Sequence, residues 1–297
     1  MISVLIPVYN YNIIPLVEAI HEQFMASSTI FEILCIDDAS DKNFSKENTI
    51  VGKLNFVSYI ISDENEGRIK TRQLLAGKAK YNWLLFLDAD VLPRNKKFIS
   101  NYLNILQQNY EVIFGGFTYQ LNPPENEFML RWKYGRSQEE VSAQDRNKKP
   151  YKAVASANFL IRAEVFKNIL SNITKKGYGL DNYIGALLKE EKVQVLHINN
   201  EVYHLGIEKS KDYLAKIEQA INNLLELVKD KNKIEHDNSL LNLFMIFKRL
   251  KLNYIFAFIY RAFKEIMKNN LLSSNPSIKL LQLYKVSYMC NIDLKKK

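Results

Sequence analysis

The run WLLFL at 83–87 is wholly apolar and ends in Asp88-Ala89-Asp90. Two carboxylates at i and i+2, placed where a strand stops, can aim at one point. Oxygen ligands of this kind suit Mg²⁺ or Mn²⁺, and such an ion neutralises a diphosphate. The competing reading makes Asp90 a cap for the turn before Pro93, a place Asp favours on local grounds. A second acidic pair, Asp37-Asp38, follows the apolar run FEILCID at 31–37. It could accept from a base N–H or from ribose hydroxyls, or it could simply form the turn that starts the next helix. A third polar cluster follows FVSYIIS at 56–62: Gly67 permits a tight turn, and Arg68 and Arg72 stand four residues apart on one helix face. Arginines so placed make charge-assisted hydrogen bonds to a diphosphate, or else form a solvated surface.

For these groups to converge, the strands that carry them must run side by side in one direction. The pattern supports this. Strands are expected at 3–9, 31–37, 56–62, 83–89 and 111–117, with helices near 13–26, 66–80 and 94–109. The strand runs are apolar on both faces, as in a parallel sheet covered by helices. In such βαβ arrangements ligands gather at the carboxyl ends of the strands. The alternation breaks at 118–152, which holds three of the seven prolines and much charge. That segment is expected to be a long excursion acting as a lid. Strand, helix, turn-into-helix and strand then follow at 152–161, 163–170, 177–191 and 193–200, and a strongly periodic helix spans 208–230. Beyond 238 two or three basic amphipathic helices are expected.

The net charge of +9 is carried by one end of the chain. Residues 229–297 hold fourteen Lys/Arg against five Asp/Glu, so residues 1–228 are neutral. This argues against a nucleic-acid groove in the main body and for a tail that meets something anionic. Lys248, Arg249, Lys251, Arg261, Lys264 and Lys268 interleave with Phe, Ile, Leu and Tyr. The composition fits a helix lying on anionic lipid, and equally a helical appendage with a solvated basic face. Cys35 and Cys290 match no metal or redox spacing, and Cys35 reads as core. The start, MISVLIPVYN, has no basic segment followed by a long apolar one, and no run of about 18 apolar residues occurs anywhere. The expected location is cytoplasmic, with peripheral contact at the inner face of the plasma membrane.

The motifs, taken together, resemble family 2 glycosyltransferases of the GT-A fold, bacterial type. Those that carry the resemblance are IPVYN (6–10), DDAS (37–40), Asn65 and Gly67 with Arg72, FLDAD (86–90), SANFLIRAEVF (156–166) and GYGLDN (177–182). LRWKYGR (130–136) is similar to a segment of bacterial members. The resemblance covers residues 2–206. It implies a Rossmann-like, mixed but mainly parallel sheet flanked by helices, with a C-terminal helical appendage. The catalytic domain would span 1–230, with a nucleotide-sugar half at 1–117 and an acceptor half at 118–206. A basic amphipathic tail would occupy 231–297.

The same resemblance implies roles. Pro7 and Tyr9, with Asp38, would hold the nucleobase, usually uracil; Asp88 would touch the ribose or the diphosphate–metal unit; Arg72 would support the nucleotide side. Asp90 would bind Mn²⁺ or Mg²⁺, with His204 as a further ligand, since a neutral imidazole suits Mn²⁺ in a mixed site. His197 is expected to be structural. Asp181 would be the general base of an inverting transfer. The family motif there usually reads Glu-Asp, whereas this chain has Leu180-Asp181, so the acid before the base is missing. Trp132 and Tyr134 are candidates to stack on an acceptor sugar. The implied partners are a UDP-sugar donor and a glycan or lipid-linked acceptor, as in cell-envelope polysaccharide biosynthesis.

Two other readings compete. A sugar nucleotidyltransferase would want a glycine-rich, basic loop for a triphosphate, and IPVYNYN offers neither glycine nor lysine there. A catalytically inactive binding or scaffold protein is favoured by Leu180 and disfavoured by intact Asp88, Asp90 and Asp181.

Overall fold

A computed structural model describes residues 1–171, 173, 181–229 and 238–295. The chain forms two compact units: Met1–Thr118, Glu140–Lys176 and Glu191–Gly206 make one, and Tyr119–Glu139, Gly177–Glu190 and Ile207–Lys297 make the other.

The first unit is built on a mainly parallel seven-stranded sheet. Its strands are β1 (Ile2–Val8), β2 (Phe31–Asp37), β3 (Val57–Ile61), β4 (Trp83–Leu87), β6 (Val112–Phe114), β8 (Asn158–Arg162) and β9 (Val195–His197), in the order β3-β2-β1-β4-β8-β6-β9. Only β8 runs against its neighbours β4 and β6. Three further short strands, β5 (Val91–Pro93), β7 (Phe117–Thr118) and β10 (Val202–His204), form a second sheet in the order β5-β10-β7. The described α-helices are α1 (Ile14–Met25), α2 (Lys42–Asn48), α3 (Arg68–Lys78), α4 (Phe98–Leu103), α5 (Met129–Tyr134), α6 (Ala143–Asn147), α7 (Ala163–Val165), α8 (Asp181–Glu190), α9 (Ser210–Lys229), α10 (Ser239–Arg249), α11 (Asn253–Leu271) and α12 (Ile278–Lys295).

The period-2 alternation of strand side chains assigns the two faces. Ile2, Val4, Ile6 and Val8 join Leu16, Val17, Ile20 and Phe24 of α1 in one apolar cluster. Leu5, Leu34, Leu84 and Phe86 are equally buried outside that cluster, where α3 packs on β1 and β2. Both faces are therefore dry, and this is why the strands read as unbroken apolar runs. The β1–β2 ladder runs on to Val8, whereas the β1–β4 ladder stops at Leu5. Pro7, which has no N–H to donate, stands beyond the point where the pairing with β4 has ended. β1 and β4 thus part at their carboxyl ends. This is also where the strand order reverses, the place such sheets use for ligands.

Between β6 and β7 the chain leaves one sheet for the other through Gly115-Gly116. Gly116 has a φ of 92°, and a Cβ on Gly115 would lie 2.3 Å from Asn158 Nδ2, so neither position admits a side chain. Asn158 accepts from Tyr102 OH at 2.6 Å and donates to the carbonyls of Gly116 and Asn200 at 3.0 and 2.9 Å. The buried Arg146 guanidinium donates to the carbonyls of Phe114, Gly115, Val141 and Ile198. It also lies 3.0 Å from His197 Nδ1. Burial and the Arg146 charge, against a hydrogen bond to Pro150 O, bring the His197 imidazole down to about 4, so it stays neutral. His197 is structural, as expected.

The 118–152 segment departs from the expected loop. It contains a 3₁₀ turn at Asn126–Phe128, α5, a π turn at Gly135–Glu139 and α6, whose cap Ser142 accepts from Asp145 N. The turns of the second unit are held by Arg131, which pairs with Glu139 at 3.0 Å and Glu208 at 3.3 Å. Arg131 also lies over the rings of Tyr119 and Tyr213. Leu130, α9, α10, α11 and α12 share that unit's apolar core. The helix α2 between β2 and β3 is a further element that the periodicity did not show. Among the described residues no helix is long and apolar enough to cross a membrane.

Arg146→Met would take the side-chain donor from the carbonyls of Val141 and Ile198, while those of Phe114 and Gly115 keep the amides of Ile198 and Asn200. An unsatisfied buried acceptor costs about 1–3 kcal/mol, so urea denaturation should show the variant about 1–3 kcal/mol less stable; an unchanged stability would refute this account.

Candidate active site

The loop after β1 is tied to the loop after β2. Asn10, with φ of 48°, receives a bond from Asp41 N at 2.7 Å through Oδ1 and donates its N–H to Ser40 Oγ at 2.8 Å. Asn48 accepts from Ile13 N and donates to Tyr11 O. The two loops therefore move as one, and Tyr9 projects beside them, 55% exposed.

The acidic pair after β2 divides its work. Asp37 is buried and accepts from Ser40 N and Ser45 Oγ at 2.8 Å, and from Tyr59 OH. Burial pushes its carboxyl up, but these donors outweigh burial and hold it below the ordinary carboxylate range. Asp38, only 4% exposed, accepts from Glu66 N and Gly67 N, each at 2.8 Å, one on each oxygen. Asn65 Nδ2 donates to Asp38 O at 3.0 Å. The Asn65–Gly67 motif is thus the partner of Asp38: the loop before α3 is hung on the end of β2. Gly67, at a φ of 87°, supplies the turn this requires.

That anchorage positions the arginines of α3. Arg72 Nη2 reaches Asp88 Oδ1 at 2.5 Å and Ser156 O at 2.6 Å, and its guanidinium lies over the rings of Phe86 and Phe159. Arg68 Nη1 meets the other oxygen of Asp88 at 3.2 Å. Burial pushes the Asp88 carboxyl up; Arg72 and then Arg68 outweigh burial and hold it ionised below its ordinary range. Arg72 is 7% exposed, whereas Arg68 faces solvent. Ser156, the first residue of the SANF motif, is a contact to which the sequence attached no role.

Two residues on, Asp90 meets a different environment. The β5–β10 antiparallel register sets Val91 opposite His204, and Leu205 N donates to Asp90 O at 2.8 Å. The result is Asp90 Oδ2 at 3.2 Å from His204 Nε2. Gly206 closes the corner: a Cβ there would stand 2.1 Å from Asp90 Oδ2. Tyr11 adjoins the pair, and burial, with the Asp90 charge second, keeps its hydroxyl protonated. A carboxylate and an imidazole side by side form a donor set that fits a Mn²⁺ or Mg²⁺ ion bound in company with phosphate oxygens. Among the described residues no group of three His, Cys, Asp or Glu side chains could hold an ion alone.

The structure therefore gathers Pro7, Tyr9, Asp38, Arg72, Asp88, Asp90 and His204 in one unit at the carboxyl ends of its strands. Asp181 belongs to the other unit, in the first turn of α8. The preceding Gly177-Tyr178-Gly179-Leu180 lies outside the described residues. Of the acceptor-stacking candidates, Tyr134 packs in the second unit's core with Lys285 Nζ 4.2 Å from its ring centre, and Trp132 donates to Gln120 O at 2.9 Å. Arg146 and Asn158 were invisible as site supports. Arg146 sits in the charged run DRNKK, where nothing distinguishes a buried guanidinium from a surface one.

The depressed Asp37 and Asp88 carboxyls carry a pH signature. The unfolded chain takes up their protons near the ordinary value of 3.8, before the folded one does. Their stabilisation is therefore complete above that value and lost as pH falls through the lower folded values. Urea titrations at falling pH should show stability dropping below about pH 4, with a shallower drop in Asp37→Asn; equal slopes would count against this assignment.

The family model described as Glycosyl transferase family 2 matches residues 3–170. An uncharacterized glycosyltransferase of Haemophilus influenzae is 31% identical over 140 residues, 42% of this chain and 45% of that protein. One from Rickettsia felis is 35% identical over 119 residues, 40% of this chain and 19% of its own length. The matched region thus spans less than half of these relatives. The mannosyltransferase PcManGT from Pyrobaculum calidifontis, solved with GDP-Man and Mn²⁺, superposes with a TM-score of 0.53 at 11% identity, covering 78% of this chain and 65% of that one. At that identity the likeness is one of fold, the GT-A fold.

Proposed function

The chain belongs to glycosyl transferase family 2, and on that premise we propose that it moves a sugar from a UDP-sugar to a hydroxyl of a glycan or lipid-linked glycan. The product class is a cell-envelope polysaccharide. The observation that carries this reading is the pairing of Asp90 with His204 beside an arginine-held Asp88, where β1 and β4 part.

The nucleobase lies against Tyr9 and the backbone from Pro7. Asp38 shapes that end by holding the 65–67 loop, and each of its oxygens keeps a second lone pair for a base N–H. Arg72 keeps Asp88 ionised and aimed at the ribose and diphosphate. Asp90 and His204 would hold Mn²⁺ or Mg²⁺, and the structure of the mannosyltransferase PcManGT with GDP-Man and Mn²⁺ supports that choice. When bound, the ion neutralises charge on the departing diphosphate.

The chemical step is a single displacement. Asp181 takes the acceptor hydroxyl proton as that oxygen bonds to the anomeric carbon. The bond from that carbon to the diphosphate breaks, its electron pair leaves with the nucleotide, and the configuration inverts. Support for Asp181 is its match to the family motif, with Leu180 as the departure. The acceptor is presented at an anionic membrane touched by the basic helices of 238–297.

Calorimetric titration of UDP should show binding with Mn²⁺ that EDTA or Asp90→Ala abolishes; metal-independent binding would remove the ion from the proposal. Gly206→Ala, which displaces Asp90, should weaken Mn²⁺-dependent binding about 10–100-fold, the range for residues that orient metal ligands. Asp181→Asn should lower kcat by about 10²–10⁴-fold with donor affinity unchanged. If transfer persists in that variant, another group is the base.

A further inference from the structure

In the second unit, α10 and α11 are joined by a tight corner at Leu250–Leu252, where Lys251 has a φ of 60°. Phe247 of α10 stacks on Phe256 of α11 across it, 4.3 Å between ring centres. The corner is therefore built, not frayed. Helix α11 turns Asn253, Ala257, Tyr260, Met267 and Leu271 into the core. Its opposite side should then be polar in a protein surrounded by water alone.

It is not. Ten large apolar side chains between Leu243 and Leu272 are exposed. Tyr254, Phe258, Ala262 and Ile266 recur every four residues and so form one stripe, with Phe258 and Ile266 each 65% exposed. Across the corner, Leu243, Ile246 and Leu250 continue the apolar surface on α10. A patch of this extent marks an interaction site.

The charges bordering the patch choose its occupant. Arg249 and Lys251 stand exposed at the corner with no acid beside them in sequence; along α11, Arg261 donates to Asn291 Oδ1 at 3.2 Å and Lys264 pairs with the single exposed acid, Glu265, at 3.5 Å. Apolar and aromatic side chains projecting between cations form the pattern of a surface that sinks into the acyl boundary of a bilayer while its cations meet anionic headgroups. A second copy of this chain would bring the same cations face to face. We infer that the α10–α11 corner is an interfacial membrane anchor for anionic lipid, inserted through Leu250, Tyr254, Phe258 and Ile266. The inference deepens the transfer reading above, because it gives the membrane contact its residues.

Sedimentation of the full chain with phosphatidylglycerol–phosphatidylcholine vesicles tests it. The protein should pellet with these vesicles, pellet less with phosphatidylcholine alone, and be released by high salt. Phe258→Ser with Ile266→Ser should reduce partitioning at least about tenfold, from the apolar burial lost. Arg249→Gln and Lys251→Gln should each reduce it about fivefold. A chain that stays in the supernatant with anionic vesicles overturns the inference. So does sedimentation equilibrium showing a dimer that Phe258→Ser with Ile266→Ser dissolves, since the face would then belong to a second copy. Calorimetry with UDP reads the nucleotide site independently, so the two readings fail separately.

Discussion

The site depends on how the chain behaves in the four residues after Leu87. There β4 has ended in the large sheet, and at Val91 β5 begins in the small one. Asp88, Ala89 and Asp90 span the short link between two hydrogen-bonded frameworks. The turn at Ala89-Asp90 then parts the two side chains. One carboxylate falls to the arginines of α3 and the other to the imidazole of β10. Two chemically identical groups two residues apart thereby acquire different electrostatic surroundings.

Charge below the surface is handled in two ways within this unit. Arg72 and Asp88 neutralise each other inside an aromatic wall of Phe86 and Phe159, which keeps water away and strengthens the pair. Arg146 has no carboxylate within hydrogen-bonding reach among its named partners. Its guanidinium is instead distributed over four peptide carbonyls at the junction of the two sheets. Desolvation draws its basicity down, with Glu201 opposing. The first arrangement serves the site directly; the second serves the frame that β7 and β10 need.

Much of this was legible in the residues. Both-face apolar runs announced a mainly parallel sheet, and strand-end polar clusters announced which carboxylates would stand at its carboxyl edge, because periodicity and strand termini are local properties. What escaped reading was set by distant partners. Nothing near Asp38 says that its oxygens will be taken by the amides of residues 66 and 67. Nothing near Gly206 says that Asp90 will fill the space a methyl would need. The 118–152 stretch looked irregular because prolines and charges dominate it, yet Arg131 supplies enough ion pairs and ring contacts to set helical turns there. Tyr134 read as a free aromatic ring for the same reason: the lysine that covers it, Lys285, lies far along the chain.

The place of β10 has a consequence for synthesis. β5 emerges early and β7 soon after, yet the strand that lies between them and pairs with both comes only at Val202–His204. While the ribosome is still making the intervening segment, each of those strands presents an unpaired edge, a template for wrong partners. Closing such a sequence-distant pairing is slow. The nascent chain is therefore most vulnerable to aggregation in the interval before residue 204 clears the exit tunnel, and a product truncated there would lack the imidazole and keep both sticky edges.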